Sequence, residues 1–244
     1  MLKNSLILAV LIAFSLIFAN LFISYSGNDE LPALGKYYAE NAASEVGAQN
    51  LVTAVVVTYR GLDTLGEVVI LFLTAAIIGF FLKLTKEDAE SNVRKERIKP
   101  ASEILQTGAQ ALVPLIFLFG IYIFMNGHLT PGGGFQGGAV IATGFVLMMV
   151  AKPVQKVNHG VLAFVESISG FSFVVIGILG IVLAGGFLDN HIIAMGTFGE
   201  ILSAGAIPII YSFVGLKVGA ELSGIVGSFN ECQEIDECLT ETDE

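Results

Sequence analysis

A few charged side chains stand where a long apolar sequence tolerates them least. Glu166 lies in the apolar run 161–187, and Lys217 and Glu221 lie in the run 201–229. Lys217 and Glu221 are four residues apart, a spacing that puts two side chains on one helix face. At about 1.5 Å per residue, Glu166 sits about 8 Å from the inner end of its run. By the same rise, Glu221 is about 9 Å and Lys217 about 15 Å from the inner end of theirs. If the two runs are antiparallel helices, Lys217 reaches Glu166, with Glu221 as the competing partner. Acids and bases in such surroundings either neutralise one another and glue two helices together, or relay a proton or cation. We read the cluster first as structural ion pairing and second as a relay.

A second set is Arg60, Asp63 and Glu67, spaced i, i+3, i+7 in the segment RGLDTLGE. On a helix they share a face, and Asp63 and Glu67 then enter the start of another apolar run. Two readings stay open. One is a helix start with a local Arg60–Asp63 pair; the other is an entry or exit point for an ion.

The third is the run from Gly127 to Gly138, GHLTPGGGFQGG. Three consecutive glycines after a proline do not form a regular helix at low cost. Pro131, Gly132, Gly133, Gly134 and Phe135 are therefore expected in an irregular loop that packs against a neighbouring backbone or lines a polar path. The alternative is a plain tight turn. A phosphate cradle is excluded, because no Lys-Ser/Thr follows. His128, His159 and His191 fall in loops at no metal-ligand spacing. Cys232 and Cys238, in the acidic tail 231–244, do not have zinc or redox spacing either. No metal or cofactor site is expected.

The elements that must hold these residues are membrane helices. The chain has 244 residues, of which 14% are charged, with a mean hydropathy of +0.77. Soluble domains carry nearer a quarter charged residues. Apolar runs at 6–23, 65–84, 109–124, 135–150, 161–187 and 201–229 approach or exceed the roughly 20 residues that cross a bilayer. The expected fold is all-α and polytopic, with about six transmembrane helices. The first run is too long for a signal-peptide core. A net charge of −10 argues against nucleic acid as a partner.

Basic residues set the expected orientation. Lys83, Lys86, Arg94, Lys95, Arg97 and Lys99 crowd the linker between runs two and three; Lys152 and Lys156 lie between runs four and five, and Lys3 precedes run one. The opposite segments, 24–64, 125–134 and 188–200, hold only Lys36 and Arg60 besides histidine. Both termini are thus expected in the cytoplasm. A surface helix is expected from Pro100 onward, a short outer helix around 34–38, and an apolar segment at 50–59 too short to span.

These motifs resemble a known family. The loop 127–138, with Gly215-Leu216-Lys217-Val218-Gly219, is similar to the MnhB (MrpB) component of multisubunit Mrp-type Na⁺/H⁺ antiporters, over about residues 100–229. Residues 50–84, with the Arg60–Glu67 motif, resemble the C-terminal end of the large antiporter protein MrpA and the small MbhE protein of membrane-bound hydrogenases. The resemblance implies a fusion: a two-helix module at 1–84, a cytoplasmic linker at 85–107, a four-helix MnhB-like module at 108–230, and the acidic tail. It implies a non-enzymatic component of a cation/proton antiporter module, in a free antiporter or in a redox-coupled complex such as a hydrogenase. Expected partners are other antiporter subunits, membrane lipid, Na⁺ and H⁺, in the cell membrane. The role expected is support of a cation path and of assembly; the rival is a purely structural component that touches no ion.

Overall fold

The computed structural model describes residues 2–25, 30–89, 101–152 and 158–240, without side chains for 2–3, 83–89 and 231–240. The side chains of Lys3, Lys83, Lys86, Arg94, Lys95, Arg97, Lys99, Lys156, Cys232 and Cys238 lie outside the described residues. Every described element is helical. In order they are α1 (Leu2–Ser24), α2 (Ala33–Glu45), α3 (Leu51–Thr53) running into a π-helical turn (Ala54–Tyr59), α4 (Gly61–Ala89), α5 (Glu103–Met125), α6 (Gly134–Ala151), α7 (His159–Leu183), a 3₁₀ turn (Asn190–Ile192) and α8 (Ile207–Thr240). Among the described residues, six helices are long and apolar enough to cross a membrane: Asn4–Ser24, Gly61–Leu82, Glu103–Met125, Gly134–Ala151, His159–Leu183 and Ile207–Asn230.

The chain divides into two units, residues 1–37 and 38–244. The first holds α1 and the start of α2, and α1 carries no charged residue between Asn4 and Ser24. In the second, α4, α5, α6 and α7 all pack on α8. Over half of the α8 span, 56%, is buried, against 6% for α4, so α8 is the axis of this unit. Small residues permit that packing. A side chain on Gly137 would meet the Gly120 carbonyl at 2.6 Å, and one on Gly138 the Gly215 carbonyl at 2.6 Å. Close backbone approach is how helices associate in lipid, where apolar surface alone gives no preference for helix over tail.

Polar caps start the helices that follow the charged segments. The Ser102 hydroxyl accepts from Leu105 N–H at 3.3 Å, and the Asn158 carboxamide accepts from Gly160 and Val161 N–H at 3.0 and 3.2 Å. Each satisfies amide groups that a helix start leaves unpaired.

Three sequence expectations need correction. No separate surface helix begins at Pro100, because Ser102 caps α5 directly and α5 enters its span at once. The fifth span ends at Leu183, not at 187, and the sixth begins at Ile207, not at 201. Residues 201–206 are apolar, but the buried Asn190 holds them in a loop. Its carboxamide donates to the carbonyls of Val46 (2.8 Å) and Ala204 (3.0 Å), and its backbone carbonyl accepts from Ala206 N–H at 3.0 Å. Ala204 takes a left-handed φ of 59°, which a helix excludes. Pro208 is consequently the second residue of α8. Its missing N–H costs nothing there, and it does not break the span.

Candidate functional site

Two polar assemblies interrupt the apolar body of the larger unit. The inner one is built on α8. Lys217 and Glu221, 6% and 2% exposed, form an ion pair through Nζ and Oε1. The ammonium also lies over the ring of Phe72 on α4, 5.2 Å from its centroid, a placement that attracts cations. On its other side is Gly170 of α7, where a Cβ would stand 3.3 Å from Lys217 Cε.

The α7–α8 contacts give the register of these antiparallel helices. Gly170 meets Lys217, and ten residues further along α8 Gly227 meets the His159 ring at 3.5 Å. Four residues on from Lys217, Glu221 therefore faces Glu166. The half-buried Glu166 acts on the Glu221 carboxyl through its charge. Lys217 thus bonds to Glu221, the competitor in the sequence reading, while Glu166 meets Glu221 and not the lysine. Glu221 Oε2 and Ser169 Oγ, both buried, have no hydrogen-bond partner.

The outer assembly is a clasp between the α3–π segment and the glycine loop. Asn50 N–H donates to the His128 carbonyl at 3.0 Å. Its carboxamide donates to the Gly127 and Thr130 carbonyls at 2.9 and 3.0 Å. The Thr53 hydroxyl donates to Gly127 O at 2.6 Å and accepts from the Tyr211 hydroxyl of α8 at 3.0 Å. The loop glycines are narrow because Tyr211 and Val214 lie against them. A Cβ on Gly127 would meet the Tyr211 ring at 2.7 Å, one on Gly133 its Cζ at 3.2 Å, and one on Gly134 would meet Val214 at 2.7 Å. Pro131 is exposed and Gly132 half-buried; Phe135 packs on the core.

Arg60, Asp63 and Glu67 do not converge. Arg60 and Asp63 form an ion pair with side chains 61% and 53% exposed, so it contributes little stability. Glu67 is exposed, although its charge reaches Tyr211. Thr64, which sequence reasoning passed over, donates to the Val56 carbonyl at 2.7 Å and satisfies one acceptor of the π turn. Asn50, Thr53 and Tyr211 were passed over as well. Asn50 had a visible signal, a helix-capping residue before a β-branched run; Thr53 and Tyr211 had none, because their partners are distant in sequence.

His128 gives the clasp a pH dependence. The ring is fully buried, with Nε2 3.2 Å from the Glu200 carbonyl. Burial holds its pKa below the usual 6.5, against the raising effect of the Glu200 carbonyl. The unfolded state therefore takes up a proton before the folded state does. This contribution is complete above about pH 6.5 and falls as pH drops below it. Amide exchange in the loop should accelerate between pH 7 and pH 5, and His128→Gln should flatten that response; equal pH dependence in both proteins would refute it.

Comparison with known proteins supplies the family. Residues 104–224 match the family described as a domain related to the MnhB subunit of Na⁺/H⁺ antiporters. Residues 3–109 match MbhE, the family of the E subunit of MBH. A protein of Methanocaldococcus jannaschii is 30% identical over 238 residues, covering 88% of each chain. In the solved structure of the membrane-bound sulfane sulfur reductase, an archaeal respiratory membrane complex, one chain is similar with a TM-score of 0.75 and 38% identity, over 94% of this chain and 98% of that one. A chain of the Mrp complex from a Dietzia species shares the fold, with a TM-score of 0.70 and 24% identity, over 93% of this chain and 26% of that one. The chain is thus a multi-pass membrane protein of the MnhB-related antiporter family, with a domain of the MbhE family ahead of its MnhB domain.

Proposed function

We propose that this chain is a supporting component of a cation/proton antiporter module. It would lend the Lys217–Glu221–Glu166 cluster to a cation path and hold two neighbouring modules in register. The observation that carries this reading is the cluster itself. An ammonium and a carboxylate are buried where α4, α7 and α8 meet, and a second carboxyl stands against them. Ionisable groups inside a membrane are costly to retain, and they mark ion pathways more often than they mark simple joints. The near full-length similarity to a chain of an archaeal respiratory complex supports a redox-coupled parent. Other antiporter subunits, lipid, Na⁺ and H⁺ are the proposed partners.

The same reading puts both termini and the basic linker in the cytoplasm. A cysteine introduced at Ser91 should then resist an impermeant thiol reagent applied to intact cells, and labelling from outside would reverse the orientation.

The functional test is a double replacement, Lys217→Met with Glu221→Leu. It removes both members of the sealed pair, so the complex should assemble. Cation-dependent proton transport by the reconstituted complex should fall at least tenfold. A second reading is also supported: the pair satisfies itself and the clasp is well bonded, as a purely structural role requires. Full transport in the double variant would select that reading.

A further inference from the structure

We propose that Glu166 and Glu221 share one exchangeable proton, so that the inner cluster is a protonation site held at zero net charge by Lys217. The inference rests on the reading of this cluster given above, but its test is independent of transport. Three observations point to it. Lys217 binds Glu221 through Oε1 alone. The second oxygen, Oε2, is buried without a donor. The α7–α8 register, fixed by the Gly170–Lys217 and Gly227–His159 contacts, sets the Glu166 carboxyl against Glu221, whose charge it feels.

Charge counting completes the argument. Two carboxyls face one ammonium. Two like charges that share a low-dielectric site do not both ionise; one retains a proton. No other described group supplies a second positive charge. Along α6 there is no titratable side chain. On α4 the acids of the described side chains are Asp63 and Glu67, toward the opposite end of the span, and Phe72 is what faces Lys217. On α5 the titratable groups are Glu103 and Tyr122, neither of which carries positive charge. On α7 the nearest other titratable group is His159, beside Gly227 and about a turn and a half beyond Glu221 on α8.

The proton a shared carboxyl holds is also the donor that Oε2 lacks. Glu166 is half-buried and Glu221 is sealed, so Glu166 is the member that exchanges with water. The step is simple: a water-borne proton adds to one carboxylate oxygen, the carboxyl bridges to the other, and the same proton returns to water when the site empties. Sodium fits less well. A hard cation takes a shell of several oxygens. The cluster offers one free Glu221 oxygen, the Glu166 carboxyl and the unpartnered Ser169 hydroxyl, with an ammonium already beside them.

Infrared difference spectroscopy on the purified parent complex in lipid nanodiscs tests the inference. At neutral pH, spectra of the unaltered complex minus Glu166→Gln, and minus Glu221→Gln, should each show one protonated-carboxyl C=O band. Either replacement leaves one carboxylate with one ammonium, which needs no proton, so each must abolish the same band. Lys217→Met removes the ammonium and should roughly double it. Absence of the band in both differences, or its persistence in Glu166→Gln, overturns the proposal. Loss of the band on adding Na⁺ at constant pH overturns it in favour of a sodium site. Glu166→Gln is isosteric and leaves the Lys217–Glu221 pair intact, so it decides the question even if Lys217→Met fails to assemble. If the band behaves as described while the Lys217→Met/Glu221→Leu protein transports normally, the proton site stands and the ion-path reading falls.

Discussion

Replacing Lys217 by Met alone should destabilise the protein by about 3–5 kcal/mol at neutral pH, the usual cost of removing one partner of a buried ion pair. The side chain is volume-matched, so the loss is electrostatic. It strands Glu221, 2% exposed, beside the like-charged Glu166. Adding Glu221→Leu should restore most of the loss, because an apolar pair of similar volume is often neutral or stabilising relative to a buried salt bridge. The four proteins form a double-mutant cycle, read as thermal midpoints of the detergent-purified complex. Acidification should narrow the gap between Lys217→Met and the unaltered protein, since protonating the stranded carboxyls removes their charge. Additivity of the two replacements would mean that the pair is not coupled.

Gly134→Val should be the most damaging single change in the outer loop. A Cβ at that position would stand 2.7 Å from Val214 Cβ and 3.0 Å from the Tyr211 carbonyl. One obstacle is main chain, so no rotamer change clears it. Overpacking of this kind costs typically about 1–3 kcal/mol and occasionally more. Because α6 begins at this residue and packs along α8, the strain is levered into the whole α6–α8 joint. Complex yield should fall severalfold for Gly134→Val and less for Gly133→Val, whose nearest obstacles are the ends of Gln136 and Tyr211. Thr130→Ser keeps the hydroxyl that donates to Asn126 O at 3.2 Å and should leave yield unchanged. Normal yield from Gly134→Val would show that the loop does not need its narrow backbone.

Hydropathy alone makes six helices legible, since a bilayer demands long uncharged runs and these stand out against clustered charge. Boundaries are legible only where a local signal marks them. Ser102 and Asn158 are such signals; residues 201–206 carry none, and their loop is imposed by Asn190 from a distance. The spacing of Lys217 and Glu221 is enough to put them on one helix face. It does not decide whether Lys217 turns to Glu221 or to Glu166, because that depends on the α7–α8 register, which the Gly170 contact sets. The glycine run announces close approach without naming what approaches. Tyr211 is a lone hydroxyl in an apolar helix, and its tie to Thr53 spans 158 residues. The π turn at Ala54–Tyr59 has no periodic signature in so short a β-branched run.

The clasp between Asn50, Thr53 and the 127–130 loop joins segments that fall in two different matched families. Were those families carried on separate chains, the same hydrogen bonds would have to draw two molecules together, and their occupancy would depend on how much of each was made. On one chain the encounter becomes unimolecular. The tether sets an effective concentration that for short flexible linkers lies in the millimolar range, so a few modest hydrogen bonds suffice to keep the joint closed. Stoichiometry is settled as well. Every copy of the antiporter-like domain arrives with one copy of its neighbour, and no half-assembled pair has to be sorted or degraded.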